Sequence, residues 1–237
     1  MRKRIGWLLC AVMIVQILSV GGTAAAENAD IHKEQTVLNR LGILEFGEAD
    51  DMDAAVTRGE FVSSVANAIQ ITPVTNRMYF TDVPVGHWAA GAVNALVEAG
   101  LINGTEQKRF EPEESITYEQ ACKILVSIAG YKAYAEDMDA GMTGYTRVAQ
   151  RIDIAISPSD PDALRLSEVV RMLYNTMEIP MVFETGVQDG QIQSEVRRDK
   201  TLFSVYHDVY VAEGRVETIP GASLDNTELT ETDQVII

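Results

Sequence analysis

Cysteine is almost missing from this chain of 237 residues, which has only Cys10 and Cys122. Cys10 sits inside the apolar stretch near the start, so Cys122 stands alone in the remainder. A single thiol makes no internal disulfide, and a disulfide-stapled secreted scaffold is excluded. Histidine is equally scarce: beyond the first residues there are His32, His87 and His207, too scattered to suggest a metal cluster. Basic charge is in deficit, with 19 Lys and Arg against 35 Asp and Glu and a net charge of −16. That balance argues against a nucleic-acid binder, which carries a basic footprint. Catalytic signatures are missing as well: there is no nucleophile elbow, phosphate loop, H-E-x-x-H or paired-cysteine spacing. Asp50, Asp51 and Asp53 lack the glycine and closing glutamate of a calcium loop and read as a solvated acidic turn. No catalytic residue, metal ligand or cofactor is assigned.

What remains is globular in character. Hydrophobic residues make up 46% and charged residues 23%, with 17 Gly and 7 Pro. The length allows one or two domains with a sizeable core. Its one long apolar stretch, Ile5–Val20, follows Arg2, Lys3 and Arg4 and ends in Gly21-Gly22-Thr23-Ala24-Ala25-Ala26. Basic, apolar and small residues in that order predict a signal peptide over residues 1–26, cleaved after Ala26. Those three basic residues are the only charges before Glu27, so the mature chain would hold 16 basic and 35 acidic residues. No later stretch is long and apolar enough to span a bilayer, so no membrane contact is expected once the leader is removed.

Three segments share one helical pattern. Phe61, Val65 and Ala68/Ile69 fall on one face after Val56-Thr57-Arg58-Gly59-Glu60. Ala121, Leu125 and Ile128/Ala129 do so after Ile116-Thr117-Tyr118-Glu119-Gln120, and Val169, Leu173 and Thr176/Met177 after Leu164-Arg165-Leu166-Ser167-Glu168. Thr57 with Glu60, and Thr117 with Gln120, form capping boxes in which each side chain satisfies the other's backbone amide. The third segment lacks the threonine, and Asp162 is expected to cap it. Shorter helices precede each one, over Val37–Ile43, Trp88–Gly100 and Arg147–Ile154. Thr57 and Thr117 are 60 residues apart, and Thr117 and Arg165 are 48 apart. A helix–loop–helix unit repeated at this spacing buries its apolar faces against its copies. Cys122 lies on the second helical pattern and reads as a buried structural thiol. After Met181 the chain turns β-rich, with strands expected at Val205–Val211 and Val216–Ile219. Its apolar end, Val235-Ile236-Ile237, resembles a domain cut short.

The central segment contains Phe80-Thr81-Asp82-Val83-Pro84, His87-Trp88-Ala89, Gly100-Leu101-Ile102-Asn103-Gly104, Phe110-Glu111-Pro112 and Ile116-Thr117-Tyr118-Glu119, in that order. This string resembles the S-layer homology domain, whose pattern runs F-x-D-V, H-W-A, G-[IL]-I-x-G, F-x-P and I-T-R-A-E. The resemblance implies a mainly α fold: three tandem helix–loop–helix repeats in a pseudo-threefold bundle, followed by a short β-rich segment. The copies would cover 27–71, 79–130 and a degenerate 131–181, with 182–237 as the β-rich remainder. The resemblance also implies a non-catalytic module, secreted and held at the cell wall or S-layer. Its partner would be a secondary cell-wall polysaccharide, often pyruvylated, or another peptidoglycan-linked polymer. Self-association is left open.

In that family the arginine of I-T-R-A-E meets the acidic sugar in a groove between copies, joined by the G-x-x-G turn and the tryptophan of H-W-A. Carried onto this chain, the ligand-binding residues are Arg58, Gly104 and Trp88, with Tyr118 at the arginine position of the second copy and Leu166 at that of the third. A guanidinium fork matches a ketal carboxylate, and a helix N-terminus is expected to add its dipole. Tyr118 offers one neutral donor and Leu166 none, so one groove keeps the cation. Trp88 also suits a core or interface position; His87 reads as a helix-start residue, Lys108 and Arg109 as solvated, and Asp82 as a turn-fixing residue. Two other readings stay open: the anchor of a longer wall- or polysaccharide-acting enzyme, and a structural protein that has lost the sugar.

Overall fold

A computed structural model describes residues 31–44, 51–104, 107–139, 141–188 and 191–210, together with the pairs 218–219 and 222–223. The expected signal peptide and the apolar C-terminus lie outside the described residues. Among the described residues eight helices dominate: α1 (31–40), α2 (Arg58–Ala68), α3 (Ala90–Glu98), α4 (Tyr118–Ile128), α5 (Lys132–Met138), α6 (Met142–Arg151), α7 (Leu166–Glu178) and α8 (Leu202–Tyr206). Strands β1 (Met181–Gln188) and β2 (Gln191–Arg197) form an antiparallel hairpin, and the two-residue strands β3 (Thr218–Ile219) and β4 (Ala222–Ser223) pair beyond it. No described helix is long and apolar enough to cross a membrane.

The capped helices form as their sequence requires. Thr57 Oγ1 accepts from the Glu60 amide and Glu60 accepts from the Thr57 amide; Thr117 and Gln120 repeat the exchange. Gly130 and Gly100 follow α4 and α3 with φ of 88° and 68°, a left-handed stop that glycine adopts without strain. Phe61, Val65, Ala121, Leu125, Val169 and Leu173 are all fully buried in one continuous core. Cys122 is buried with them, and burial, helped by the Glu119 charge and opposed by a hydrogen bond with Tyr118, pushes its thiol up to about 12. Such a thiol is neutral and unreactive at neutral pH.

Three strings preceding α2, α4 and α7 close a ring of backbone hydrogen bonds. The Val56 amide donates to Leu164 O (2.9 Å), the Leu164 amide to Ile116 O (3.1 Å), and the Ile116 amide to Val56 O (2.9 Å). First-turn amides of all three helices are then absorbed by a neighbouring string. Arg58 and Gly59 donate to Glu114 O and Pro112 O, Leu166 and Ser167 to Ala54 O and Met52 O, and Tyr118 to Pro161 O. Buried helix ends need such partners, and here the fold supplies them from its own loops.

Several expectations are corrected. Asp162 does not cap α7; Glu168 reaches back to the Arg165 amide (2.8 Å) and also accepts from Ser159. The short helices are shifted: the first is already helical at residue 31, α3 begins at Ala90, and α6 begins at Met142 rather than Arg147. An additional helix, α5, packs on α6 where Gly144 leaves no room for a Cβ against Ala135 O. Val205 and Tyr206 are helical, because Thr201 and Ser204 cap α8 and Leu202 and Phe203 bury against α7, with Phe203 edge-on to Tyr174 at 5.5 Å. Most of the described β content lies earlier, in β1–β2, while of the expected strand Val216–Ile219 the residues Thr218–Ile219 form β3.

The segment 181–210 packs on the helical body. The Val182 amide donates to Ala129 O (3.0 Å), and Tyr131 Oη to Pro180 O (2.8 Å). At the far side His207 Nε2 donates to Ala68 O (2.9 Å), while Gln70 Nε2 donates to His207 Nδ1 (3.2 Å). This strap therefore ties the C-terminal ends of α2 and α4, away from the helix N-termini that carry Arg58 and Tyr118.

Candidate functional site

Arg58 is the first residue of α2, half-buried between that helix and the α3–α4 loop. Its Nε donates to Phe110 O (2.9 Å) and its Cζ lies 4.8 Å from the Phe110 ring centroid. Phe110 in turn stacks on Phe80 at 5.6 Å. Burial holds the Arg58 pKa below its ordinary value, against the opposing charges of Glu111 and Asp82. The group nevertheless stays charged, since arginine does not lose its proton in proteins. The expected help from the helix N-terminus is corrected here: the Arg58 and Gly59 amides are consumed by Glu114 O and Pro112 O, so only the side chain is left for a ligand.

Asp82 builds the opposite wall. Its two carboxylate oxygens accept from the Phe110 amide (2.9 Å) and the Glu111 amide (2.8 Å), holding Glu111 at φ 60° and setting the Phe110 carbonyl toward Arg58. Desolvation pushes its pKa up, but the two amides and the Arg109 charge outweigh this and leave it below its ordinary value. Glu168 behaves alike: partial burial is outweighed by the Ser159 and Arg165 amides. A depressed carboxyl stabilises the fold above its unfolded pKa of ~4, and that contribution disappears as pH falls through the lower folded value. Thermal melts from pH 7 down to pH 3 should therefore show stability falling below about pH 4. Asp82→Asn should lower stability at pH 7 by about 1–2 kcal/mol and flatten part of that acid slope.

Two depressions flank the Arg58 side chain. One is a pocket of about 240 Å³ lined by Arg58, Val62, Asn103, Gly104, Gln120 and Lys123, with Phe110 and Glu111 at its edge. The other is an open crevice of about 630 Å³ rich in carboxylates, lined by Asp82, Glu111, Glu113, Glu114 and Asp162 beside Arg58, His87 and Arg109. Gly104 lines the small pocket, and a Cβ there would overlap the Phe80 ring and meet Arg109 O at 2.8 Å. Its glycine lets the loop close over the aromatic stack that carries Arg58.

Trp88 stands outside α3 and is 57% exposed. Its ring edge rests on Gly59, where a Cβ would approach Cη2 to 2.8 Å, and Nε1 donates to Glu113 (3.3 Å). Glu113 also lies 3.5 Å from His87 Nε2. Trp88 is thus one residue from Arg58 through space but does not line the small pocket. Tyr118 is elsewhere, at the N-terminus of α4, with its hydroxyl against the Ile156 backbone and Cys122; burial raises its pKa well above the ordinary value. Leu166 is half-buried against the core. The structure brings Arg58 and Gly104 into one pocket, sets Trp88 beside them and leaves Tyr118 apart. Sequence reading missed Lys123 and the pocket-facing role of Gln120. The i, i+3 spacing of Gln120 and Lys123 on α4 was the available signal.

Residues 79–122, which supply Asp82, Trp88, Gly104 and Phe110, match the S-layer homology domain family. That segment is an S-layer homology domain. Among curated relatives, a middle cell wall protein of Brevibacillus brevis is 27% identical over 197 residues, covering 80% of this chain and 18% of that protein. A surface layer protein of Brevibacillus choshinensis is 25% identical over 226 residues, covering 89% of this chain and 20% of the relative. An amylopullulanase of Thermoanaerobacterium thermosulfurigenes is 31% identical over 91 residues, which is 38% of this chain and 5% of the enzyme. The chain spans about a quarter or less of the length of the first relatives it matches. The domain and these relatives support a cell-surface anchoring role, and the chain is an exported protein of the cell surface or cell wall.

Proposed function

We propose that this chain is a non-catalytic anchor that holds an exported protein on a Gram-positive-type envelope by binding an anionic secondary cell-wall polysaccharide, pyruvylated on its sugars. One observation carries the reading. Arg58 is a partly desolvated cation with no carboxylate at ion-pair distance among the described residues, and it borders a small pocket. Glu111 and Asp82 act on it only from beyond ion-pair distance, which leaves this half-buried cation available to a partner that arrives from outside. A ketal carboxylate fits, since the guanidinium retains its Nη donors after Nε is spent on Phe110 O. Trp88, exposed beside Gly59, offers a face for a neighbouring sugar ring. Segments 27–71, 79–130 and 131–181 are read as three copies, and the ring joining Val56, Ile116 and Leu164 supports that reading. Only the first groove keeps the arginine.

The full chain should sediment with purified cell walls, and binding should be lost once mild acid removes the ketal groups. Equal sedimentation with walls stripped of polymer would redirect the assignment to peptidoglycan. No sedimentation with intact walls would favour a structural protein without sugar binding. The similarity to an amylopullulanase supports a second reading, in which the same anchor serves a polysaccharide-acting enzyme within a longer chain.

A further inference from the structure

The Arg58 pocket contains a second cation. Lys123 lies on α4 three residues beyond Gln120, is half-buried and lines the 240 Å³ pocket with Arg58. Its ammonium is 6.0 Å from the Tyr145 ring centroid, a weak contact, and it has no carboxylate partner among the described residues. Among the described lining residues Glu111 is the one carboxylate, so these residues carry one net positive charge. Two cations lining one small pocket present paired positive charge to an anion that enters it.

The same helix position in the other grooves is spent differently. Superposing the caps Thr57, Thr117 and Arg165 aligns Lys123 with Ser63 on α2 and Arg171 on α7. Ser63 donates its hydroxyl to Gly59 O (2.9 Å). Arg171 is ion-paired through Nε with Glu34 (2.8 Å), which is itself largely buried on α1. Arg58 and Lys123 share one pocket, and on the three-copy reading the corresponding pairs would be Tyr118 with an already neutralised Arg171, and Leu166 with Ser63. Only the first is a two-cation site.

We infer that Lys123 is a second oxyanion-binding residue, and that this chain takes one monoanionic carboxylate per molecule between Arg58 and Lys123. The inference rests on the wall-polymer reading above and adds to it a residue, a charge and a stoichiometry. Arg58 supplies the fork and Lys123 a mobile point charge on the other side of the same carboxylate.

The test is calorimetric titration of the full chain with a single-sugar pyruvate ketal, its uncharged methyl ester and inorganic phosphate. One ketal should bind per chain, with the ester and phosphate much weaker. Lys123→Gln should weaken the ketal roughly five- to tenfold, as expected for losing one half-exposed charged contact, and Lys123→Arg should restore most of it. Lys123→Met guards against a poorly folded glutamine variant, and melting curves should be unchanged in all three. If Lys123→Gln and Lys123→Met bind like the unaltered chain while Arg58→Ala does not, the Lys123 assignment falls and the groove stands. If Arg58→Ala also binds normally, the groove reading itself falls. Phosphate binding as tightly as the ketal, or two or more ketals per chain, overturns the single-carboxylate site.

Discussion

Gly130→Ala should destabilise the protein by about 3 kcal/mol, with Gly100→Ala costing about 1–2 kcal/mol as its internal control. Both glycines sit at helix ends with positive φ, 88° and 68°, and both would pay the same left-handed penalty for a Cβ. They differ in surroundings. A Cβ on Gly100 meets nothing within 4 Å, whereas one on Gly130 overlaps the Val182 carbonyl and comes within 3.1 Å of the Val182 Cβ. Relieving that overlap moves β1 away from α4 and breaks the Val182–Ala129 backbone hydrogen bond. For a body of this size the extra loss corresponds to a melting temperature lower by several degrees, at ~2–4 °C per kcal/mol. Differential scanning calorimetry of the two variants checks it. Equal melting temperatures would mean that the strap 181–210 is not docked on the helices.

That strap shows where sequence reading reaches its limit. Thr57/Glu60 and Thr117/Gln120 announced α2 and α4 because a capping box is local chemistry over four residues, and the i, i+4 faces of Phe61, Ala121 and Val169 were buried as their period required. The third cap was legible only as a gap: Glu168 does the work without a threonine, drawing also on Ser159 nine residues back. The β1–β2 hairpin was passed over because, among its residues of described burial, only Met181 and Val182 at its base are buried, leaving little alternation to detect. Val205 and Val209 suggested a strand, yet the Thr201–Ser204 cap and the adjacent Leu202 and Phe203 make Val205 part of helix α8. The ring of Val56, Ile116 and Leu164 joins main-chain groups 48 to 108 residues apart and leaves no trace in residue identity. The pocket was half legible. Arg58 and Gly104 came from motif resemblance, but Lys123 faces them only through the packing of α4 against the α3–α4 loop, a relation that no single helix pattern contains.

Arg58→Ala should abolish most polymer binding while leaving the fold nearly as stable as before. In the free protein the side chain gains a hydrogen bond to Phe110 O and a cation–ring contact, and loses hydration through burial. These opposing contributions are each about 1–2 kcal/mol and largely offset. The melting temperature should therefore move by no more than a few degrees, a pattern typical of residues held for binding rather than stability. Binding is a different matter: without the fork, the carboxylate loses its paired charge-assisted hydrogen bonds, worth about 1.5–3 kcal/mol, or roughly 10- to 150-fold in affinity. Arg58→Lys should recover part of this, because an ammonium keeps the charge without the bidentate geometry. Tyr118→Ala and Leu166→Ala should act weakly on binding, since neither offers a cation, and any effect of Leu166→Ala should track its melting temperature. Salt should have little net influence on the unaltered chain. Raising it weakens the Arg58 contact but also screens the repulsion between a chain of net charge −16 and an anionic polymer, over a Debye length of ~8–10 Å. A pull-down of these variants on purified polymer at two salt concentrations measures both effects. A folded Arg58→Ala protein that binds as well as the original would move the site away from this pocket.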